Sequence, residues 1–428
     1  MNSDNRKSTT VNFSRSIRHE EQSTYVEIPF EMPTRVEEIT VSYKVNSHGG
    51  PKAVIDLGVR DQERVRGWSG GARTEFRLGL EKATPGYLPG PLTPGGWAVL
   101  HNAYKVPEEG CTVEVTITFY ERTRRWLKGD LHTHSVNSDG KYTLEQNAAI
   151  MEQLGCDFIA MTDHNTSSQN RTYPRGTSVV MIPGYEFTTN FGHSNFLGVT
   201  DPLDEFRVAS QDDVHARLGT ARERGAKIVL NHPHCDFCPW EWDFQVDHDW
   251  VEVWNGPWSE RNARTLRWWQ EQLAGGRRLT AVGGSDVHSP DPYIKHAEPC
   301  TWVLAETKTV DDILDGIDAG HVSISCSPEG PFVELQCGNY TIGETVPKDE
   351  RNRTIRLQAN ALRAGDRIKL IGNNGVVVDV APETTDGTAE LLADAEHLSF
   401  LRAEVWRPVR PGGGFVLAAL TNPIYFNQ

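Results

Sequence analysis

Asp130-Leu131-His132-Thr133-His134 is the stretch from which the fold is read. It closes an apolar run that starts at Trp126. An extended chain turns every second side chain to the same face, so His132 and His134 point the same way and can hold one ion between them. The pattern recurs downstream. Asp139, Asp163-His164, Glu186, His193, His232 and Asp286-Val287-His288 lie at or beyond the ends of strand-like segments, and ten of the fifteen histidines fall between His132 and His296. No cysteine occupies a matching strand end. Imidazoles with carboxylates are the donors that the divalent ions of metallohydrolases take.

Strand-like runs at residues 126–131, 158–162, 179–187, 227–231, 250–254, 279–283 and 301–304 alternate with stretches of helical periodicity. That alternation marks β/α units around a parallel sheet or barrel. Thr143 and Gln146 make a capping box that opens a helix running to Leu154, and Gly155 closes it. Further helices are expected at 259–273, closed by Gly275-Gly276, and at 310–319, closed by Gly320. In a β/α barrel the residues after each strand face a shared mouth, so every candidate ligand should converge there. Residues 26–124 alternate in short segments split by turns and read as an antiparallel β-sandwich module. Residues 326–428 return to strands and read as a second β module, while residues 1–25 are polar and are expected to fray.

A chain of 428 residues is long for one core, and two or three domains are expected. With no apolar run near the ~20 residues of a membrane span, no membrane association is expected. The opening Met1-Asn-Ser-Asp-Asn-Arg-Lys has no apolar stretch behind its charges, so a cytoplasmic location is expected. The net charge of −15 argues against nucleic acid as a partner, because such binding rests on Lys and Arg neutralising phosphates. Seven scattered cysteines, an odd number, point to a reducing compartment, and the lone Cys235-x-x-Cys238 reads as two half-buried thiols.

The motifs D-L-H-x-H-S, S-D-G, T-D-H-N, G-x-E, N-H-P and S-D-x-H occur in that order between residues 126 and 325. Together they resemble the PHP family, named for polymerase and histidinol phosphatase. The flanking β segments, Glu186 with Gly192-His193, and Asn422-Pro423-Ile424-Tyr425 look like its carbaryl-hydrolase (CehA/McbA-like) branch. The resemblance implies an α/β protein, a distorted seven-stranded (β/α) barrel of PHP type flanked by β-sandwich-like modules, with two or three divalent ions. Zn, Mn and Fe all suit such donors. It further implies that His132, His134, Glu186 and Asp286 hold a first ion. Glu186 would bridge to a second held by His193 and His232, and Asp139, His164 and His288 would hold a third. His234 competes with His193, and Asp139 stands where some members have histidine. Asp163, Glu186 and His193 are the catalytic candidates, Asp163 as a carboxylate that orients a ligand imidazole.

Two close ions can share a hydroxide, bring the pKa of bound water toward ~7 and clamp both oxygens of an in-line displacement, so the reaction class is hydrolysis. The leading reading is a phosphoesterase acting on a small-molecule ester, in which a metal-bridging hydroxide attacks phosphorus. Its alternative is hydrolysis of a carbamate or carboxylic ester. An amidohydrolase barrel also opens with H-x-H but is expected to lack Asp163-His164 and the late Asp-x-His. A purely structural metal site tends to be closed by four ligands, fewer than are present here. A polymerase proofreading module is disfavoured by the acidic balance. Arg171, Arg175, Lys295 and His296 are candidates to meet an anionic group, against the plainer reading of solvated loop charges. Trp240, Trp242, Trp254 and Trp258 either line a pocket or pack their loops, and Asn255 either faces the mouth or caps a turn. His215 and His248 are expected in solvent.

Overall fold

The computed structural model describes residues 7–80, 82–382, 387–392, 397–410 and 413–427. The chain divides into two compact units, Met1–Thr123 and Arg124–Gln428. The first contains two four-stranded antiparallel sheets. One runs in the order Ser8–Ile17, Cys111–Glu121, Val36–Ser47, Glu75–Gly79, the other Tyr25–Met32, Gly95–Asn102, Leu57–Arg60, Val65–Gly70. Residues 25–32 bury every second side chain, the period of a strand with one wet face. Phe30 from one sheet meets Phe119 from the other at 6.0 Å between ring centroids, so the buried faces oppose each other. Residues 8–17, expected to fray, form a ten-residue strand along Cys111–Glu121. Its polar residues mask an alternation in which Val11 and Phe13 reach the core.

In the second unit the strands of the principal sheet are β1 (Arg125–Thr133), β2 (Phe158–Met161), β3 (Val180–Thr189), β4 (Gly192–Leu197), β5 (Lys227–Leu230), β6 (Trp250–Asn255), β7 (Thr280–Gly284), β8 (Cys300–Ala305) and β9 (Val322–Ser325). From β7 back to β1 they lie side by side in chain order, and β8 and β9 continue beyond β1. The run from β1 to β7 curls until its ends meet. Asp286 N donates to His132 O (2.9 Å) and His134 N to Val287 O (3.1 Å), joining the segment after β7 to the C-terminal end of β1. The other half of β1 pairs with β8, from Gly129 opposite Thr301 to Arg125 opposite Ala305. One strand thus forks between two neighbours. Strands β2 and β6 are buried along their whole length, as sheets covered on both faces require.

The unit is a strand-rich α/β sheet, curled and joined at one rim, and the distorted seven-stranded (β/α) barrel expected is not confirmed. Four α-helices occur among the described residues: α1 (Leu144–Gln153), α2 (Gln211–Glu223), α3 (Glu260–Ala274) and α4 (Val310–Asp318). The Thr143–Gln146 capping box opens α1 as expected. No α-helix separates β2 from β3, where only a 3-10 turn spans Ser168–Arg171, or β5 from β6, and the Ser-, Pro- and Cys-rich connections there favour turns. Strand β4, absent from the sequence reading, is antiparallel to both β3 and β5.

The C-terminal β segment is not separate either. Phe415–Thr421 pairs with β9, followed by Phe400–Pro408, Arg367–Gly372 and Gly375–Val380, in one continuous sheet with the ligand-bearing strands. A smaller sheet, ordered Tyr340–Thr341, Val333–Cys337, Thr354–Ala359 and Gly387–Leu392, completes that end. Asn422 explains part of the continuity. Its buried amide accepts from Ala281 N (2.8 Å) and donates to Ala281 O (2.8 Å) and Val322 O (3.2 Å), filling the space between β7 and β9 like a short strand.

Asn422→Ala leaves those backbone groups of Ala281 without partners. It is expected to destabilise the fold by about 2–4 kcal/mol, read as a lower urea midpoint at unchanged slope.

Candidate metal centre

Strand β1 delivers His132 and His134 to the pinched rim, and Asp130 holds the rim in place. Its buried carboxylate accepts from Ser285 N (3.0 Å), His132 N (3.2 Å) and Ala297 N (2.7 Å), tying β1 to the loop after β7. Burial pushes this carboxyl up to about 6, against the pull of those hydrogen bonds. Gly284 is required beside it, since a Cβ there would lie 2.3 Å from His132 Cβ. His232 (φ 26°) and Asp286 (φ 56°) adopt left-handed backbone that non-glycine residues avoid. Such strain costs about 1–3 kcal/mol per residue and gathers where a side chain must be aimed.

Glu186, near the end of β3, is the hub. Its carboxylate lies 3.2 Å from His132 Nε2, 3.5 Å from His134 Nε2, 2.8 Å from His164 Nδ1, 3.2 Å from His193 Nδ1 and 3.6 Å from His232 Nε2. Asp286 Oδ1 lies 3.4 Å from His132 Nε2 and 3.1 Å from His134 Nε2. On the outer side, Asp139 Oδ1 is 3.7 Å from His164 Nε2 and 3.4 Å from His288 Nε2. The donor atoms of His132, His134 and Asp286, of His132, Glu186 and His232, and of His134, Asp139, His164 and His288 form three sets, each within 4.8 Å. All nine residues expected as ligands therefore meet at one rim.

These separations fit ions better than protons. Charge-assisted hydrogen bonds run about 2.7–2.9 Å, and most of these contacts are longer. Bonds of ~2.0–2.2 Å to one tetrahedral ion set neighbouring ligand atoms about 3.4 Å apart. Moreover, His132 Nε2 and Glu186 Oε2 are buried without any hydrogen-bond partner, a costly state that a cation between them would relieve. The residues present fit a cluster of divalent ions.

The electrostatics point the same way. Burial opposes charge on His132, but Asp286, Glu252 and Glu186 outweigh it and hold the imidazole protonated well above its usual range. Burial would raise the carboxyls of Glu186 and Asp286, yet His132 and its neighbours draw both below theirs. A proton on His132 and a dication among the same donors would offset the same carboxylate charge.

Glu252, missed in the sequence, lies on β6. Its Oε1 is 2.9 Å from His132 Nδ1, which leaves Nε2 free for an ion, and its Oε2 accepts from His232 N (3.0 Å) and Asn255 Nδ2 (3.2 Å). A single acid inside the apolar run Trp250-Val-Glu-Val-Trp254 was the available signal. Asn231, also missed, donates from Nδ2 to Glu186 Oε1 (2.9 Å).

Asp163 does not orient an imidazole. It accepts from Ser135 N (2.8 Å), Ser135 Oγ (2.7 Å) and Ser138 Oγ (2.7 Å), shaping the turn that presents Asp139. His234 stays outside the cluster, packed on Phe244 and Trp268 with Nδ1 3.2 Å from Thr265 Oγ1.

The substrate candidates fare differently. Arg171 pairs with Asp201 at 2.9 Å, and Arg175 and Lys295 are exposed. His296 is buried against Asn147 Oδ1 (2.6 Å). Trp254 is buried and donates to Gly256 O (3.0 Å), Trp240 is buried and donates to Asp243 O (3.2 Å), and Trp258 lies between Trp254 and Trp406. Trp242 donates to Thr189 Oγ1 (2.9 Å). The indoles of Trp240, Trp242 and Trp254 already have N–H partners, and Trp258 packs between two other indoles. Asn255 turns Nδ2 toward Glu252 and also toward Asp286 Oδ2 (3.3 Å), a positioning contact behind the ligands. His215 is exposed, but His248 is buried, its Nδ1 donating to Val246 O (2.8 Å) and its Nε2 accepting from Arg277 Nη2 (2.9 Å). Among the described residues no helix is long and apolar enough to cross a membrane.

No protein-family model matches this chain, and no curated protein does. Among solved structures, it is similar to a two-domain protein from Bacteroides vulgatus whose description assigns it, by prediction, a PHP-like metal-dependent phosphoesterase. That match has 18% identity and a TM-score of 0.40, and covers 69% of this chain and 95% of the other. An amidohydrolase from Chromobacterium violaceum with bound sulfate and no metal gives 16% identity over 39% of this chain and 89% of the other, TM-score 0.27. A proposed metal-dependent phosphoesterase from Bifidobacterium adolescentis gives 16% over 44% and 94%, TM-score 0.29. At such TM-scores none of the three bears on the fold or chemistry derived above. None is described as a carbaryl hydrolase, so that branch gains no support.

Two outcomes follow from the geometry. Because an ion must displace the proton held on His132, divalent metal binding should release protons even above the usual imidazole range and weaken as pH falls. Calorimetric titrations in buffers of different ionisation enthalpy read the proton count. Glu252→Gln should lower metal affinity by about 10–100-fold while the circular dichroism spectrum is retained.

Proposed function

We propose that the second unit is a metal-dependent hydrolase and that phosphate esters are its substrate class. The observation that carries the proposal is Glu186, one buried carboxylate whose two oxygens face five imidazoles, as a group shared between ion positions would be. Ions held there would supply Lewis acidity and a water acidic enough to act as a nucleophile near neutral pH. The chain does the rest. Asp130, Glu252 and Asn255 keep the ligands aimed, and the Asp163-held turn sets Asp139.

Access supports catalysis over a structural role. His132 and His134 side chains are 0% exposed, whereas those of His164, His288 and Asp139 are 25%, 32% and 60% exposed, so the centre opens on that side. Lys141 leaves the chain there as well: its N–H donates to His288 O (2.6 Å) and its side chain is exposed. Ions reached from that open side would engage the oxygens of an anionic ester directly, which supports phosphate esters over a neutral carbamate.

Metal-loaded protein should turn over p-nitrophenyl phosphate or its bis ester faster than 1-naphthyl methylcarbamate. Turnover of the carbamate with neither phosphate cleaved would reverse the assignment in favour of the carbamate or carboxylic ester reading. His132→Ala with His134→Ala should leave the protein folded by thermal unfolding but cut turnover at least about a hundredfold. Loss of the fold instead would mark the ions as structural.

A further inference from the structure

Sulfur enters the centre by a route that strand-end spacing does not reveal. After β5 the chain turns sharply: Cys235 N donates to His232 O (2.9 Å) and Trp240 N to Pro233 O (3.0 Å). The turn carries half-buried Cys238 back against the ligands. Its Sγ lies 3.8 Å from His232 Nδ1, and the donor atoms of His193, His232 and Cys238 all lie within 4.8 Å of one another. Zinc bonds of ~2.3 Å to sulfur and ~2.0–2.1 Å to imidazole set the two ligand atoms about 3.6 Å apart on a tetrahedral ion.

We propose that His193, His232 and Cys238 form a sulfur-bearing ion position on the edge of the Glu186 cluster, one that takes zinc in preference to manganese or magnesium. The inference rests on reading the rim as a metal centre and adds the ligand that sets its metal choice. His232 is fully engaged between the two sides, with Nε2 3.6 Å from Glu186 Oε1 and Nδ1 toward the sulfur. Thiolate is a soft donor, which carboxylate-preferring ions accept poorly. Cys238 Sγ donates to Cys235 Sγ (3.4 Å), and Arg261 Nη1 lies 3.9 Å from Cys235 Sγ. An ion at this position would therefore displace the Cys238 proton, and the proposal stands on where the sulfur lies beside His193 and His232.

Cobalt(II) titration of the metal-stripped full-length protein is the test, because a cobalt–thiolate bond adds an intense near-ultraviolet charge-transfer band to the weak visible bands of any cobalt site. The band is expected in the parent, lost in Cys238→Ser and kept in Cys235→Ser, with visible bands persisting in all three. Cys238→Ser should also reduce the zinc-over-manganese preference at least about tenfold in competition dialysis. Visible bands without the charge-transfer band in the parent would mean that His232 binds through Nε2 with Glu186 and that the sulfur is a bystander. That result overturns this proposal and leaves the hydrolase reading intact. A parent that binds no cobalt overturns both. A band lost in Cys235→Ser alone would assign the sulfur to the wrong cysteine and likewise overturns the proposal.

Discussion

Burying Glu186 among imidazoles is the constraint on which the second unit depends. A carboxylate removed from water is tolerable only when opposite charge or hydrogen bonds replace its hydration, and here one oxygen accepts from Asn231 while the other faces the imidazoles of His164 and His134. The remaining compensation has to come from cations, whether protons on the neighbouring imidazoles or metal ions among them. Every unusual feature nearby serves that arrangement. Asp130 gathers three backbone N–H groups, Gly284 clears space for His132, and His232 and Asp286 accept strained backbone so that their side chains face inward.

The convergence of the candidate donors was legible because most of them are local chemistry near the ends of strands. His132, His134, His164, Glu186, His232 and Asp286 stand at or just past such ends, whereas Asp139 lies in a turn and His193 opens β4. Glu252 was not recognised, although an acid inside a buried strand announces a partner. What failed were statements that need three-dimensional partners. Asp163 sits beside a ligand in sequence but shapes a turn instead. The sequence left the tryptophans between pocket walls and loop packing, and partners decide it: the indoles of Trp240 and Trp254 donate to backbone carbonyls and that of Trp242 to the Thr189 hydroxyl at the end of β3.

The architecture shows the same division. Helices α1, α3 and α4 lie where periodicity and closing glycines place them, within a residue or two at either end. Strand β4 escaped notice because Gly192–Leu197 is short and polar at its start, and its antiparallel pairing breaks the β/α rhythm. The β segment after Ser325 has the composition of an independent module. Only hydrogen bonding reveals that it continues the same sheet, since composition does not record which strand a neighbour pairs with.

That continuity limits how the centre could be moved by recombination or engineering. A fragment ending at Ser325 would leave β9 with a bare row of N–H and C=O groups where Phe415–Thr421 now pairs, an invitation to stick to other chains. It would also strip Ala281 of the amide that stands in for a strand beside it. A fragment meant to carry the candidate centre would therefore have to keep Phe415–Thr421 and Asn422 beside the ligand-bearing strands, which makes the apparent appendage part of the scaffold's hull.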